Sequence, residues 1–278
     1  MGGAPQGAPH DSHEVAGRDG RNGAGVLAED FGLDGTRGEV FRGIGFDAPP
    51  GSLIALEGPS GSGRTSLLLA LTGRMKATAG HAQVGGHRLP KELAAVRRFS
   101  ALGAVPGVTD LEPSLSVAEQ LREQMLLQRR FDGSLRALLG PRSRRTAASR
   151  ARLDAVLAAA GLDLETLPKG QRTRIRDVER LESLRLSVAL ALLGRPRLLA
   201  VDDVDLKLSE HERTRAWRLL HSVAETGTTV LAVCSQAPPD AVVVRTGVPQ
   251  AEQTAVDEQL AQTTKGDAAD ALAEAGRA

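Results

Sequence analysis

Gly51-Ser52-Leu53-Ile54-Ala55-Leu56-Glu57, then Gly58-Pro59-Ser60-Gly61-Ser62-Gly63-Arg64-Thr65, then Ser66-Leu67-Leu68-Leu69-Ala70-Leu71-Thr72 form the stretch on which the fold turns. The first run is short and apolar and reads as a buried strand. The last reads as a buried helix beginning near Arg64. The segment between them follows the spacing G-x-x-x-x-G-[K]-[ST], with Arg64 where lysine is expected. Glycines there allow dihedrals that turn successive backbone N–H groups inward, toward an anion. The helix start adds the positive end of its dipole, and Thr65 can supply a hydroxyl to Mg²⁺. Arg64 keeps the lysine's charge, but its planar fork is larger and differently aimed. An ordinary Gly/Ser turn would share the glycines. The strand before and the helix after favour a phosphate loop made of Gly58, Pro59, Ser60, Gly61, Ser62, Gly63, Arg64, Thr65 and Ser66.

Further along the chain, Leu198-Leu199-Ala200-Val201-Asp202-Asp203 is a second apolar strand, ending in acids, and Thr228 to Ser235 is a third. Apolar strands alternating with helices predict a mainly parallel sheet covered on both faces. The middle, about residues 116–194, is rich in Leu, Ala and Arg at helical spacing, with stops at Gly133, Gly140-Pro141 and Gly161. It reads as a helical subdomain inserted into the α/β core. Its basic run, residues 141–152, is read as a solvated helix face or loop, so no nucleic-acid partner is expected. Residues 1–24 read as a disordered arm, and residues 246–278 as a weakly ordered, Ala-rich tail.

Composition narrows the function. The net charge of +1 gives no global attraction to nucleic acid or acidic membranes. Aromatic residues make up 2% and tyrosine is absent, which argues against base-stacking RNA recognition. Cys234 is the single cysteine, so neither a disulfide framework nor a thiolate metal cluster forms, and it reads as a small core residue. The six histidines show no ligand spacing. There is no spanning segment and no secretion signal, so a cytoplasmic protein is expected. Arginine far outnumbers lysine, which reads as GC-rich, bacterial coding.

From about Val26 to Val244 the chain resembles the ATP-binding subunits of ABC transporters. The resemblance is carried by the phosphate loop and by Phe41 to Ser52, similar to the strand and turn before it. It is carried also by Ala79-Gly80-His81-Ala82-Gln83-Val84-Gly85-Gly86, similar to the family's "SGxVxxxG" hairpin, and by Leu192 to Asp203, similar to a helix end and Walker B strand. It implies an α/β P-loop NTPase fold of ABC type over residues 25–245. That fold has a mainly parallel core, an antiparallel β edge and a helical subdomain at about 110–194. It implies ATP and Mg²⁺ as ligands, with Thr65 and Asp202 holding the metal and Asp202 and Asp203 as the catalytic acids. It implies a separately encoded, permease-like membrane partner, peripheral attachment at the inner face of the membrane, and a homodimer or heterodimer of cassettes.

The departures concern catalysis. The family's catalytic glutamate is matched by Asp203, one methylene shorter, which changes its reach to water. Gly107 stands where the Q-loop glutamine is expected. The signature "LSGGQ" falls on Val178-Glu179-Arg180-Leu181-Glu182, whose acids repel an anion. Ser235 replaces the switch histidine. The adenine-stacking aromatic falls near Gly35, with Phe31 the nearest ring. Blander readings stand beside these: Asp203 and Asp205 as helix-capping or solvated acids, and Glu179 and Glu182 as acids on a helix surface. The expectation is an ATP-binding transport subunit whose hydrolysis is slow or lost; the alternative is a non-catalytic regulatory or scaffold protein with the same fold.

Overall fold

The computed structural model describes residues 23–36, 38–131 and 142–247. Most of the arm and tail read from the sequence, and the stops at Gly133 and Gly140-Pro141, lie outside the described residues. At their inner ends, Ala24 is buried and donates its N–H to Arg197 O, while Thr246 is buried and donates to Glu57 O.

Two sheets carry the fold. One is antiparallel, in the order β2-β1-β4-β5, built from β1 (Val26–Gly35), β2 (Gly38–Ala48), β4 (Ala79–Val84) and β5 (His87–Leu89). Gly85 and Gly86, at φ 56° and 89°, make the tight turn between β4 and β5; these left-handed values suit a two-residue hairpin. The other sheet is parallel, in the order β6-β7-β8-β3-β9. Its strands are β3 (Leu53–Glu57), β6 (Ser100–Leu102), β7 (Leu198–Val201), β8 (Thr229–Cys234) and β9 (Val242–Arg245).

Six helices complete the described chain: α1 (Arg64–Leu71), α2 (Leu93–Phe99), α3 (Val117–Phe131), α4 (Arg142–Ala159), α5 (Arg180–Leu192) and α6 (Glu210–Glu225). Three single 3₁₀ turns, Leu164–Thr166, Gly170–Arg172 and Ile175–Asp177, join α4 to α5. The helix α5 packs against both α3 and α4, which forms the helical part inserted between β6 and β7. A capping box starts α6: the Ser209 side chain accepts from Glu212 N–H, and the Glu212 carboxylate accepts from the Ser209 backbone.

The parallel strands divide their side chains between two cores. Leu198 and Ala200 of β7, Ile54 and Leu56 of β3, and Leu231 and Val233 of β8 pack with α1 and the antiparallel sheet. Leu199 and Val201, with Val230 and Ala232, pack with α5 and α6. Alternate residues therefore bury on opposite faces, which explains why these strands are apolar throughout instead of alternating. The architecture is α/β, with a mainly parallel core, an antiparallel sheet beside it and an inserted helical part. The carboxyl ends of β3, β7 and β8 meet at one edge, where the phosphate loop begins.

Candidate functional site

The loop leaves β3 at Glu57 and enters α1 at Arg64. Gly61 and Gly63 lie at φ 83° and 84°, a region strained for any residue with a Cβ. At Gly63 the space is closed as well: a Cβ would stand 2.2 Å from Val40 O, so the loop is pressed against β2. The opposite side is held by the chain after β9. Ser62 Oγ and Thr246 Oγ1 are 2.6 Å apart, and a Cβ on Gly58 would meet Thr246 Oγ1 at 2.5 Å. Gly63 is also the N-cap of α1 and supplies no capping side chain. The loop is thus braced on two sides with its backbone donors uncapped, the arrangement an anion needs.

Beside it, the Thr65 hydroxyl donates to Asp202 Oδ2 at 2.7 Å, while Asp202 Oδ1 accepts from the Asp203 N–H at 2.9 Å. Asp202 is 2% exposed. Burial pushes its carboxyl above the ordinary carboxylate range; the Thr65 hydrogen bond opposes this and the Asp203 charge adds to it. A buried carboxylate without a full counter-charge, next to a hydroxyl, is a set of hard oxygen donors. It fits Mg²⁺, which binds one or two protein oxygens and completes its shell with phosphate oxygens and water. Among the described residues no group of three or more His, Cys, Asp or Glu side chains gathers to hold a metal unaided.

The remaining sequence-derived positions are arranged less favourably. Arg64 Nη1 donates to Cys234 O, at the end of β8, at 2.5 Å, so part of its fork is engaged by a strand-end carbonyl. Asp203 sits at φ 48°, a left-handed value rare for a residue with a side chain. Its carbonyl accepts from Arg180 Nη2 at 3.0 Å, and Arg180 Nε also donates to Leu206 O. Ser235 donates through both its hydroxyl and its N–H to Asp205 Oδ2, at 2.5 and 2.8 Å, and the Gln236 N–H joins them at 3.3 Å. Asp205 therefore ties the loop after β7 to the loop after β8. The helix-capping reading fails for it, because Ser209 caps α6.

Glu182 is no surface acid either. It is mostly buried and pairs with Arg185 at 3.5 Å, whereas Glu179 is exposed just ahead of α5. Gly107 lies at φ 74°, with its N–H donating to Asp110 Oδ2 at 2.9 Å. A groove of about 810 Å³ opens between β6 and α3, with Gly103, Asp110, Gln120, Gln124 and Gln128 on its walls. Gly107 is outside that lining. Phe31 is fully buried against Phe41, with ring centroids 5.9 Å apart, so its ring offers nothing to a base. The Cys234 thiol is pushed up to about 12, chiefly by burial, and is inert at neutral pH.

Thr246 and Asp205 also shape the site, through contacts that no local spacing in the sequence signals, and Arg180 does so by holding backbone carbonyls. Ser62 and Thr246 are 184 residues apart, and no local spacing signals that pairing. Residues 180–192 are buried on most faces and show no amphipathic period, so the sequence gives no sign of where Arg180 points.

A search of solved structures returns ABC cassettes. The ATP-binding cassette MJ0796, in a post-hydrolysis dimer with ADP and Pi, matches at TM-score 0.58 and 20% identity, over 76% of this chain and 88% of that one. CbiO1 from Clostridium perfringens, part of the transporter complex cbiONQ, matches at TM-score 0.63 and 16% identity, over 86% and 93%. Among curated relatives, the Nod factor export ATP-binding protein I of Rhizobium etli is 26% identical over 192 residues, 69% of this chain and 54% of that protein. The linearmycin resistance ATP-binding protein LnrL of Bacillus subtilis is 25% identical over 69% and 55%. The chain spans about half the length of the curated relatives it matches. The family model described as ABC transporter matches residues 41–205, more than half the chain and the whole run from β2 through the phosphate loop to Asp205; the chain belongs to the ABC transporter family.

Proposed function

We propose that the chain is the ATP-binding subunit of a transport system, holding Mg-ATP at residues 58–66 and coupled to a separately encoded membrane protein. The observation that carries this reading is the Thr65–Asp202 pair beside a braced glycine loop. In it, the backbone of residues 61–65 and the Arg64 charge hold phosphates, Thr65 and Asp202 hold Mg²⁺, and Asp203 faces the attacking water. The groove between β6 and α3 receives a cytosolic helix of the partner. None of the described helices is long and apolar enough to cross a membrane, so a spanning function would come from another chain or segment. Relatives named for export and resistance support a role in efflux.

Hydrolysis is slow or lost. Phosphoryl transfer depends on positioning and charge stabilisation, and losing one well-placed donor commonly costs about 10²–10³ in rate. Here Gly107 lacks a side chain, Ser235 is engaged with Asp205, and the Asp203 backbone is held by Arg180. The same observations favour, as a second reading, a non-catalytic regulatory subunit that binds nucleotide as a switch. The test is to capture the tagged protein from solubilised membranes when it is expressed with its neighbouring genes, then to measure phosphate release. The expected result is a retained membrane protein and negligible turnover. A wholly soluble protein capturing nothing contradicts the coupling. Turnover of about 1 s⁻¹ or more, abolished by Asp202→Asn, contradicts the claim of impaired hydrolysis.

A further inference from the structure

The phosphate half of the site is built, whereas among the described residues no aromatic ring stands free beside the loop. The sequence contains six Phe and Trp residues and no Tyr. Phe31 and Phe41 pack on each other inside the core. Phe46 packs against the same core from β2. It lies six residues beyond Val40, the point where β2 touches the loop, or about 20 Å along an extended strand. Phe99 contacts the Arg197 guanidinium, 5.1 Å from its centroid, and the His87 ring at 5.7 Å. Trp217, a residue of α6, packs against the other core. Phe131 closes α3 in the helical part, and its side chain is outside the described residues.

What β2 presents next to the loop is therefore aliphatic or charged. Val40 is half-buried against the core. Arg42, two residues on, is engaged by Asp34 at 3.4 Å and Glu39 at 3.2 Å, all three side chains exposed. Exposed groups paired with one another make no fixed pattern of donors and acceptors. Strong discrimination between hydrogen-bonding ligands needs such a pattern, in buried polar groups that a wrong ligand leaves unpaired. The contrast with the other half is sharp: closed space at Gly58 and Gly63, and the Thr65–Asp202 pair, fix the loop itself.

We infer that residues 58–66 choose their ligand by its phosphate chain alone, accepting nucleoside triphosphates whatever the base. The inference rests on the nucleotide reading proposed above and names the ligand class of that same site. A stacked base contributes roughly 5- to 150-fold in affinity; here that factor is missing for every base alike. The ranking of ligands follows the number of phosphates, and inorganic triphosphate is itself a ligand.

The experiment uses the full chain with Mg²⁺ and a ribose-labelled fluorescent ATP, displaced by ATP, GTP, CTP, ADP, AMP and inorganic triphosphate. The expected result is that ATP, GTP and CTP displace within about threefold of one another. Inorganic triphosphate follows within about tenfold, and AMP is weaker than ATP by more than about a hundredfold. Preference for ATP over GTP and CTP by tenfold or more overturns the inference while leaving the nucleotide reading intact. So does failure of inorganic triphosphate to displace at a hundredfold excess. If the labelled ATP does not bind at all, both readings fall. Asp34→Ala and Glu39→Ala together supply a second check, since they release Arg42. Unchanged base ratios are expected, and a new preference among bases would show that the hairpin does read the base.

Discussion

At the scale of single residues, Asp202 decides most. It is buried, its two oxygens accept one hydrogen bond each from Thr65 and Asp203, and burial raises its pKa above the ordinary 3.8. An acid whose pKa is higher folded than unfolded holds its proton more tightly in the folded state. Its contribution to stability is thus greatest at low pH and falls as pH rises through the window between 3.8 and its folded value. Asp202→Asn removes that cost without breaking the bonds: the amide oxygen accepts from the Asp203 N–H, and the amide nitrogen donates to Thr65 Oγ1. In nucleotide-free, Mg²⁺-free buffer this variant is expected to melt a few degrees higher than the parent at pH 7.5, with the gain vanishing toward pH 4. Thermal melts across that range check it; a variant less stable at pH 7.5 contradicts it. Arg64 shows where residue-level reading stops. Its charge is plain from the sequence, but its direction depends on Cys234 O, a carbonyl brought beside it only by the parallel pairing of β3 with β8.

At the scale of elements, the strands that were readable are those buried on both faces. Residues 53–56, 198–201 and 230–234 are apolar throughout because each face meets a different core. β6 has only three residues, and β9 is only partly buried; both are set by pairing, with β7 and β3. The phosphate loop was readable because its glycines, its strand and its helix are contiguous. Its bracing was not, because Val40 and Thr246 come from distant elements. That bracing yields a comparison. Gly61 and Gly63 share nearly the same φ, but a Cβ on Gly61 meets nothing within 4 Å, whereas one on Gly63 runs into Val40 O. Gly61→Ala is expected to cost about 1 kcal/mol, from backbone strain alone. Gly63→Ala is expected to cost about 3 kcal/mol or more, since β2 must also move. Urea unfolding of the two variants measures this; equal costs would show that the loop is not pressed against β2.

At the scale of the whole molecule, the site lies where the two sheets and the helical part converge. Arg180, at the start of α5, reaches across to the loop after β7, and Asp205 passes that loop on to the end of β8. The helical part and the core are therefore joined directly through the segment that carries Asp203. The residues where the signature falls make contacts within the chain: Arg180 to backbone carbonyls and Glu182 to Arg185. The account rests on one claim, that the braced loop and the Thr65–Asp202 pair together hold a magnesium-bound nucleotide. Calorimetric titration of ATP into the full chain, with Mg²⁺ and again with a chelator, tests it most directly. The account predicts saturable binding, with Kd in the range of about 0.1–1 mM with Mg²⁺, weakened at least tenfold by the chelator and by Thr65→Val. The absence of saturable binding at millimolar ATP, or binding indifferent to both Mg²⁺ and Thr65, would contradict it.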